Sequence, residues 1–395
     1  MKPLLSYITP RNIASFLLIL FCIQYIPIES RGGASIIKVG ISLLCPFCWL
    51  IHTPKINKAY LLLLCYFVFV CLTASFHPNT FRISTLLFLL SHIFIFLTYY
   101  NYVWMENVFN IDFFIRLIQK FINTYTIVLI IQQCFIIIGI KYFPLINLSQ
   151  PLDRGIGANS LSYEPSSFAI TISVLFLSLL RLYEIKYNRK ITISELFYEA
   201  RWVCLGFLWS ILTMGSGTAI IALGILACYF LRGTKSIIII SLFIFIYWMT
   251  PMIDFTPLQR AYNSFNALLT LDINNMKQTD SSAAYRLVPL ANTLTNLNFR
   301  NWETWFGYGI DSILSTDYYS ENKMIGGIRE YGLISFIITQ IFVFKCCIRK
   351  FFSVETLIWI GLFNMSIYNI PYYWGTLMLF STTNYFYKRQ NTYEQ

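Results

Sequence analysis

The chain reads as an all-α polytopic membrane protein of about twelve transmembrane helices with one large extracytoplasmic loop. Three observations lead there. Hydrophobic residues make up 57% of 395 and charged residues only 12%, with a mean hydropathy of +0.61, more apolar surface than a soluble domain hides. The charges are absent from, or confined to the ends of, windows of about 17–20 residues, the length an α-helix needs to cross a bilayer core. One polar, aromatic-rich stretch, Asp254–Gly327, interrupts the apolar pattern.

Taken in order, residues 12–28 lie between Lys2/Arg11 and Glu29/Arg31. Their uncharged length exceeds a signal-peptide core and no small-x-small cleavage site follows, so the segment reads as an uncleaved anchor. Windows 36–52, 59–76, 83–102 and 121–140 follow, then a medium loop over 141–165 and a window at 166–182. Residues 202–231 contain no charge, but Gly215-Ser216-Gly217 divides them into spans 198–214 and 216–233. Window 236–253 precedes the large loop, 254–327. After span 328–345 another uninterrupted apolar run is divided by Pro371 into 353–369 and 372–388. No internal repeat is evident, and residues 1–395 read as a single membrane domain with no soluble domain before or after it.

The positive-inside rule orients these spans. With both termini cytoplasmic, the inner side holds 18 Lys/Arg against 7 Asp/Glu and the outer side 11 of each, a net +11 against zero. Merging spans seven and eight would carry Lys345, Arg349, Lys350, Lys388 and Arg389 outside, so the division at Gly215 is kept and the large loop faces outward. The basic balance is thereby topological and gives no reason to expect nucleic acid as a partner.

Metal and nucleophile chemistry find little support. All ten cysteines fall in apolar windows or at their cytoplasmic ends. Cys45-Pro46-Phe47-Cys48 has no second pair to complete a shell. The three histidines, His52, His77 and His92, sit singly in or beside spans two, three and four. No metal site and no cofactor are expected.

An outward set of arginines and carboxylates remains. Glu164-Pro165-Ser166-Ser167 reads as a helix start, with Pro165 at the first helical position, and such N-termini attract anions. Arg154, ten residues upstream behind Gly155 and Gly157, can fold over the same place, and a guanidinium at a helix start suits a lipid-linked diphosphate. The alternative is that Arg154 meets phospholipid headgroups and Glu164 complements the dipole. Gly215-Ser216-Gly217-Thr218 and Arg329-Glu330 also face outward, and neighbouring charges on a helix address different partners. The large loop adds Arg260, Arg286 and Arg300, and its strip Asn301-Trp302-Glu303-Thr304-Trp305-Phe306-Gly307-Tyr308-Gly309-Ile310-Asp311 combines aromatic faces for sugar rings with carboxylates for hydroxyls; a membrane-interface aromatic belt is the other reading. Ser281–Val288 reads as a short helix start presenting Arg286 inward or to headgroups.

These segments, Arg154-Gly155…Glu164-Pro165-Ser166, Ser282…Arg286, Gly307-Tyr308-Gly309 and Gly327…Arg329-Glu330-Tyr331-Gly332, resemble the Wzy-type O-antigen and capsular polysaccharide polymerases of bacterial inner membranes. The resemblance covers the full length in architecture. One spacing described for some members, an arginine with a glycine eleven positions later, is absent: Pro165 follows Arg154 at that distance and Leu297 follows Arg286. The resemblance implies a GT-C-like glycosyltransferase acting at the outer face of the inner membrane. It would move a growing glycan from undecaprenyl diphosphate onto a new lipid-linked repeat unit, with membrane lipids and a chain-length regulator protein as further partners. Arg154, Arg286 and Arg329 then hold diphosphates, Glu164 is the first candidate base and Asp311 the second, and Trp302, Trp305 and Tyr308 hold sugar. The O-antigen ligase, whose members use a histidine in the large loop, and a lipid-linked oligosaccharide flippase are the alternatives. The loop carries no histidine, and a transporter would show repeats and intramembrane charges.

Overall fold

A computed structural model describes residues 9–24, 36–51, 56–80, 82–140, 155–231, 244–253, 281–312, 323–363 and 371–393, with a few isolated residues between them. The described residues are helical or in turns, and contain no β-strand. We number the helices α1 Pro10–Cys22, α2 Ile36–Ile51, α3 Lys58–Phe76, α4 Ile83–Trp104, α5 Ile111–Ile137, α6 Pro165–Tyr187, α7 Ile193–Thr213, α8 Gly217–Ala227, α9 Ser281–Asn296, α10 Trp302–Phe306, α11 Ile328–Phe342, α12 Val354–Ile358 and α13 Pro371–Tyr393.

Among the described residues five segments are long and apolar enough to cross a membrane: α3, α4, α5, α6, and Ile325–Cys347 around α11. The protein is therefore a helical membrane protein. The described residues carry fewer such segments than the twelve expected, and the reasons are local. Pro10–Cys22, Lys38–Cys48, Gly217–Phe230 and Val354–Phe363 are apolar but short. Helix α7 carries Glu195, Glu199 and Arg201 in its first half, and α13 carries the polar run Ser381–Asn384. Residues 236–240 and 242–243 of the window expected at 236–253 lie outside the described residues, as does the end of the one at 353–369.

Helix starts follow local chemistry. Thr9, Asn57 and Asn110 cap α1, α3 and α5 by accepting backbone N–H bonds through their side chains. Thr192 and Glu195 form a reciprocal capping box on α7, and Pro165 opens α6, which ends at a left-handed Asn188.

The chain forms two compact units, Met1–Gly33 with Tyr102–Ala261 and Met378–Gln395, and Ala34–Asn101 with Tyr262–Leu377. In the first, α6 is the central helix, 89% buried over its most apolar stretch, against α5, α7 and α8. Phe176 of α6 stacks on Phe207 of α7 at 4.0 Å between centroids, and Tyr125 of α5 on Phe168 of α6 at 5.4 Å. Helices α5 and α7 approach closely at Gly206, where an added Cβ would lie 2.9 Å from Thr126 Oγ1. Thr126 also bonds Ser210 at 3.2 Å. A small residue and hydroxyl pairing are what helix contacts in lipid favour, because apolar burial gives no drive there.

The chain reverses between α7 and α8. Gly215 takes φ +73°, and Tyr229, just past α8, accepts a bond from Lys190, just before α7, at 3.4 Å. Trp209 and Thr213 at the other end of α7 bond Gln133 near the end of α5. The second unit packs α3 against α11 and α10 against α11. Its core joins Phe96 edge-on to Phe342 and beside Trp374, and Trp359 Nε1 donates to Gln340 at 2.8 Å.

Candidate functional site

The second unit brings the two glycine-rich motifs together. Residues 298–301 form a turn in which Arg300 N donates to Asn298 Oδ1 at 3.0 Å. Helix α10 follows, pinned when Thr304 Oγ1 donates to Asn298 O and Trp305 Nε1 to Phe299 O at 2.9 Å. Its end docks on α3: Thr73 Oγ1 donates to Phe306 O at 2.7 Å, and Phe76 meets the rings of Trp302 and Phe306 edge-on. Trp302 and Phe306 stack at 3.8 Å.

Gly307 and Gly332 then pack backbone to backbone. Gly332 kinks α11 at φ +81°, and a Cβ there would lie 2.8 Å from Gly307 N; one on Gly307, at φ +85°, would strike the Glu330 carbonyl. Any larger residue at either place is excluded by both space and dihedral angle. Tyr308 N donates to Arg329 O at 2.7 Å, and the Arg329 guanidinium stands over the Tyr308 ring at 4.5 Å. Among the described residues no carboxylate forms an ion pair with Arg329. Glu330 turns the other way and is buried, 3% exposed, where its charge acts on Tyr66 of α3 and on Lys323. Burial lowers the Lys323 ammonium pKa below the usual lysine range, with Glu330 acting in the opposite sense.

Trp302, Trp305 and Tyr308 remain 52%, 37% and 36% exposed, with Phe306 stacked on the Trp302 ring and Arg329 over the Tyr308 ring. Asp311, at φ +61°, lies in the same segment with its carboxylate turned to α4: Oδ2 accepts from Arg82 N at 3.0 Å and from Thr85 Oγ1 at 2.8 Å. It therefore caps α4 from a distant part of the chain.

Glu164 belongs to the first unit. It is the N-cap of α6, makes no side-chain cap bond, is exposed, and accepts from Ser166 Oγ at 3.2 Å. The residues before it fold back into the helices. Asn159, Ser160 and Ser162 are fully buried. Gln132 of α5 accepts from Ser160 N at 2.7 Å and donates to Ser160 O at 3.1 Å. Ser160 Oγ donates to Tyr125 O at 2.6 Å. Gln24, past the end of α1, donates from N to Leu161 O at 3.2 Å, accepts from Tyr163 N at 3.4 Å and donates to Thr171 Oγ1 at 3.1 Å.

Trp302, Trp305, Tyr308, Asp311 and Arg329 are thus neighbours in one unit and Glu164 stands in the other. Arg154 and Arg260 lie outside the described residues, and Arg286 is on α9 with its side chain outside them. Sequence reasoning missed His77, whose Nε2 donates to Gly307 O at 3.1 Å. The signal was present: with spans three and four assigned, residues 77–82 are a short outward connection on the side of the large loop. It also missed Gln24 and Gln132, amides inside apolar windows. No protein-family model, curated protein or solved structure matches the chain.

Proposed function

We propose that the protein is a polysaccharide polymerase of the O-antigen or capsular type, a GT-C-like glycosyltransferase with twelve spans in the bacterial inner membrane. The observation that carries this reading is the set of exposed aromatic residues Trp302, Trp305 and Tyr308 in one short segment, with Arg329 over the Tyr308 ring, in a membrane protein. Aromatic faces accept sugar rings, and an arginine with open donors accepts a diphosphate bidentately. Contacts within each unit agree with the assigned sides. Lys186 with Asp112 and Tyr385 with Asn107 join ends placed inside, whereas Gln24 with Tyr163 and Asp311 with Arg82 join ends placed outside.

In this reading the acceptor hydroxyl of an incoming lipid-linked repeat unit gives its proton to a carboxylate and attacks the anomeric carbon of the growing chain. The bond to undecaprenyl diphosphate breaks, and guanidinium groups stabilise the departing charge, for which Arg154, Arg286 and Arg329 are the candidates. Glu164 is the candidate base, since Asp311 has its Oδ2 engaged in capping α4. Membrane lipids and a chain-length regulator are the other partners.

A second reading, O-antigen ligase, is favoured by one contact: His77 reaches the large loop at Gly307, supplying from α3 the imidazole that the loop itself lacks. Deletion of the gene separates the two. A polymerase deletion leaves lipid A-core bearing one repeat unit, or uncapped carrier in a capsule system, on a polysaccharide gel. Loss of every repeat, including the first, points to a ligase or a flippase.

A further inference from the structure

The folded-back segment before α6 is irregular backbone buried among the helices, where unpaired polar groups are costly. Ser160 bonds the carbonyl of Tyr125, twelve residues before the last residue of α5 and so about 18 Å along a helix of about 40 Å. In hydrocarbon surroundings every N–H and C=O needs a partner within the protein. A simple extension of α6 toward its N-terminus would satisfy those groups without help. Here two glutamine side chains do so instead. Gln132 clamps Ser160 through both halves of its amide, and the Gln24 side-chain oxygen accepts from Tyr163 N, immediately before Glu164, while the Gln24 backbone N–H donates to Leu161 O. Gln24, Gln132, Ser160 and Thr171 are all at least nine-tenths buried, so the clamp is shielded from competing water. Ser160 itself sits at φ +50°, a strained value for a non-glycine residue that this bonding holds in place.

We infer that Gln132 and Gln24 are positioning residues that set the α6 N-terminus and Glu164 against the lipid-linked substrate. The inference rests on the polymerase reading. Neither glutamine touches substrate; each acts through the loop. Gln133, the next residue of α5, provides an internal control, because its buried amide bonds Trp209 and Thr213 of α7 and not the loop.

The test uses the full chain purified in detergent, with lipid-linked repeat units extracted from the producing strain, and rates normalised to folded protein. Gln132→Met removes both amide bonds at nearly constant volume. It should lower kcat/KM at least tenfold, whereas Gln133→Met should stay within about threefold of wild type. Ser160→Gly removes only the hydroxyl bond and suits the positive φ, so it folds even if Gln132→Met does not; it should lower kcat/KM severalfold. In a Glu164→Asp background Ser160→Gly should add no further loss, since both changes displace the same carboxylate. Equal effects at Gln132 and Gln133, a wild-type rate for Ser160→Gly, or full additivity with Glu164→Asp would overturn the inference. A wild-type protein that lengthens no glycan would overturn the polymerase reading and this inference with it.

Discussion

At the scale of single residues, two carboxylates that look alike in sequence have different surroundings. Asp311 spends an oxygen on the Arg82 amide and the Thr85 hydroxyl, and Glu164 is exposed with only Ser166 beside it. Asp311→Asn keeps an oxygen for the cap, so polymer length should be unchanged, while Asp311→Ala should cost about 1 kcal/mol of stability by thermal unfolding. Glu164→Gln keeps shape and removes the proton acceptor; it should abolish polymer on a gel at normal membrane abundance. The opposite pattern would make Asp311 the base and Glu164 a dipole partner. The aromatic strip and Arg329 were legible because their types are rare together. The capping role of Asp311 was not, because its partner lies more than two hundred residues away, and sequence spacing carries no information about such a tie.

Elements show why glycine and charge sit where they do. Helix α11 owes its kink to Gly332, so Gly332→Ala must both shift Phe306 or Gly307 and hold alanine at φ +81°. A loss of about 2 kcal/mol or more is expected from strain of that kind, read as a lower melting temperature. Gly40→Ala is the contrast, since a Cβ there meets nothing within 4 Å and α2 should gain slightly. The capping box of α7 gives a pH dependence. Hydrogen bonds from Arg189 and then Thr192 lower the Glu195 pKa from 4.5 to about 2. A carboxylate depressed on folding stabilises above its unfolded pKa, and that contribution disappears as pH falls from about 4.5 toward 2. The melting-temperature difference between wild type and Glu195→Gln, which keeps the box but not the charge, should therefore shrink as buffers are lowered from pH 5 to pH 3. Most helix positions were legible from charge-free windows, and the break at Gly215 from two glycines around a serine. The folded-back loop before α6 was not, because a polar stretch between two apolar windows has the same composition whether it lies above the bilayer or dips between helices.

For the molecule as a whole, class and helical content followed from composition, and five membrane-length segments among the described residues carry them. The sidedness proposed for these segments is testable: a reporter active only in the periplasm, fused near Asn292, should be active, and one near Lys350 silent. The reverse result would move the aromatic segment to the cytoplasm, where undecaprenyl-linked polymerisation has no place. The grouping of segments was beyond reach of sequence, since each unit joins pieces that are far apart along the chain. That grouping governs synthesis. Trp104 donates to Ser381 at 2.9 Å and Tyr385 bonds Asn107 at 2.8 Å, so the first unit lacks its closing contacts until the second half of α13 has left the ribosome. Trp104 and Asn107 are made nearly three hundred residues ahead of these partners. A chain cut short before Met378 would lack both contacts permanently, so the last helix acts as the fastener of the first unit.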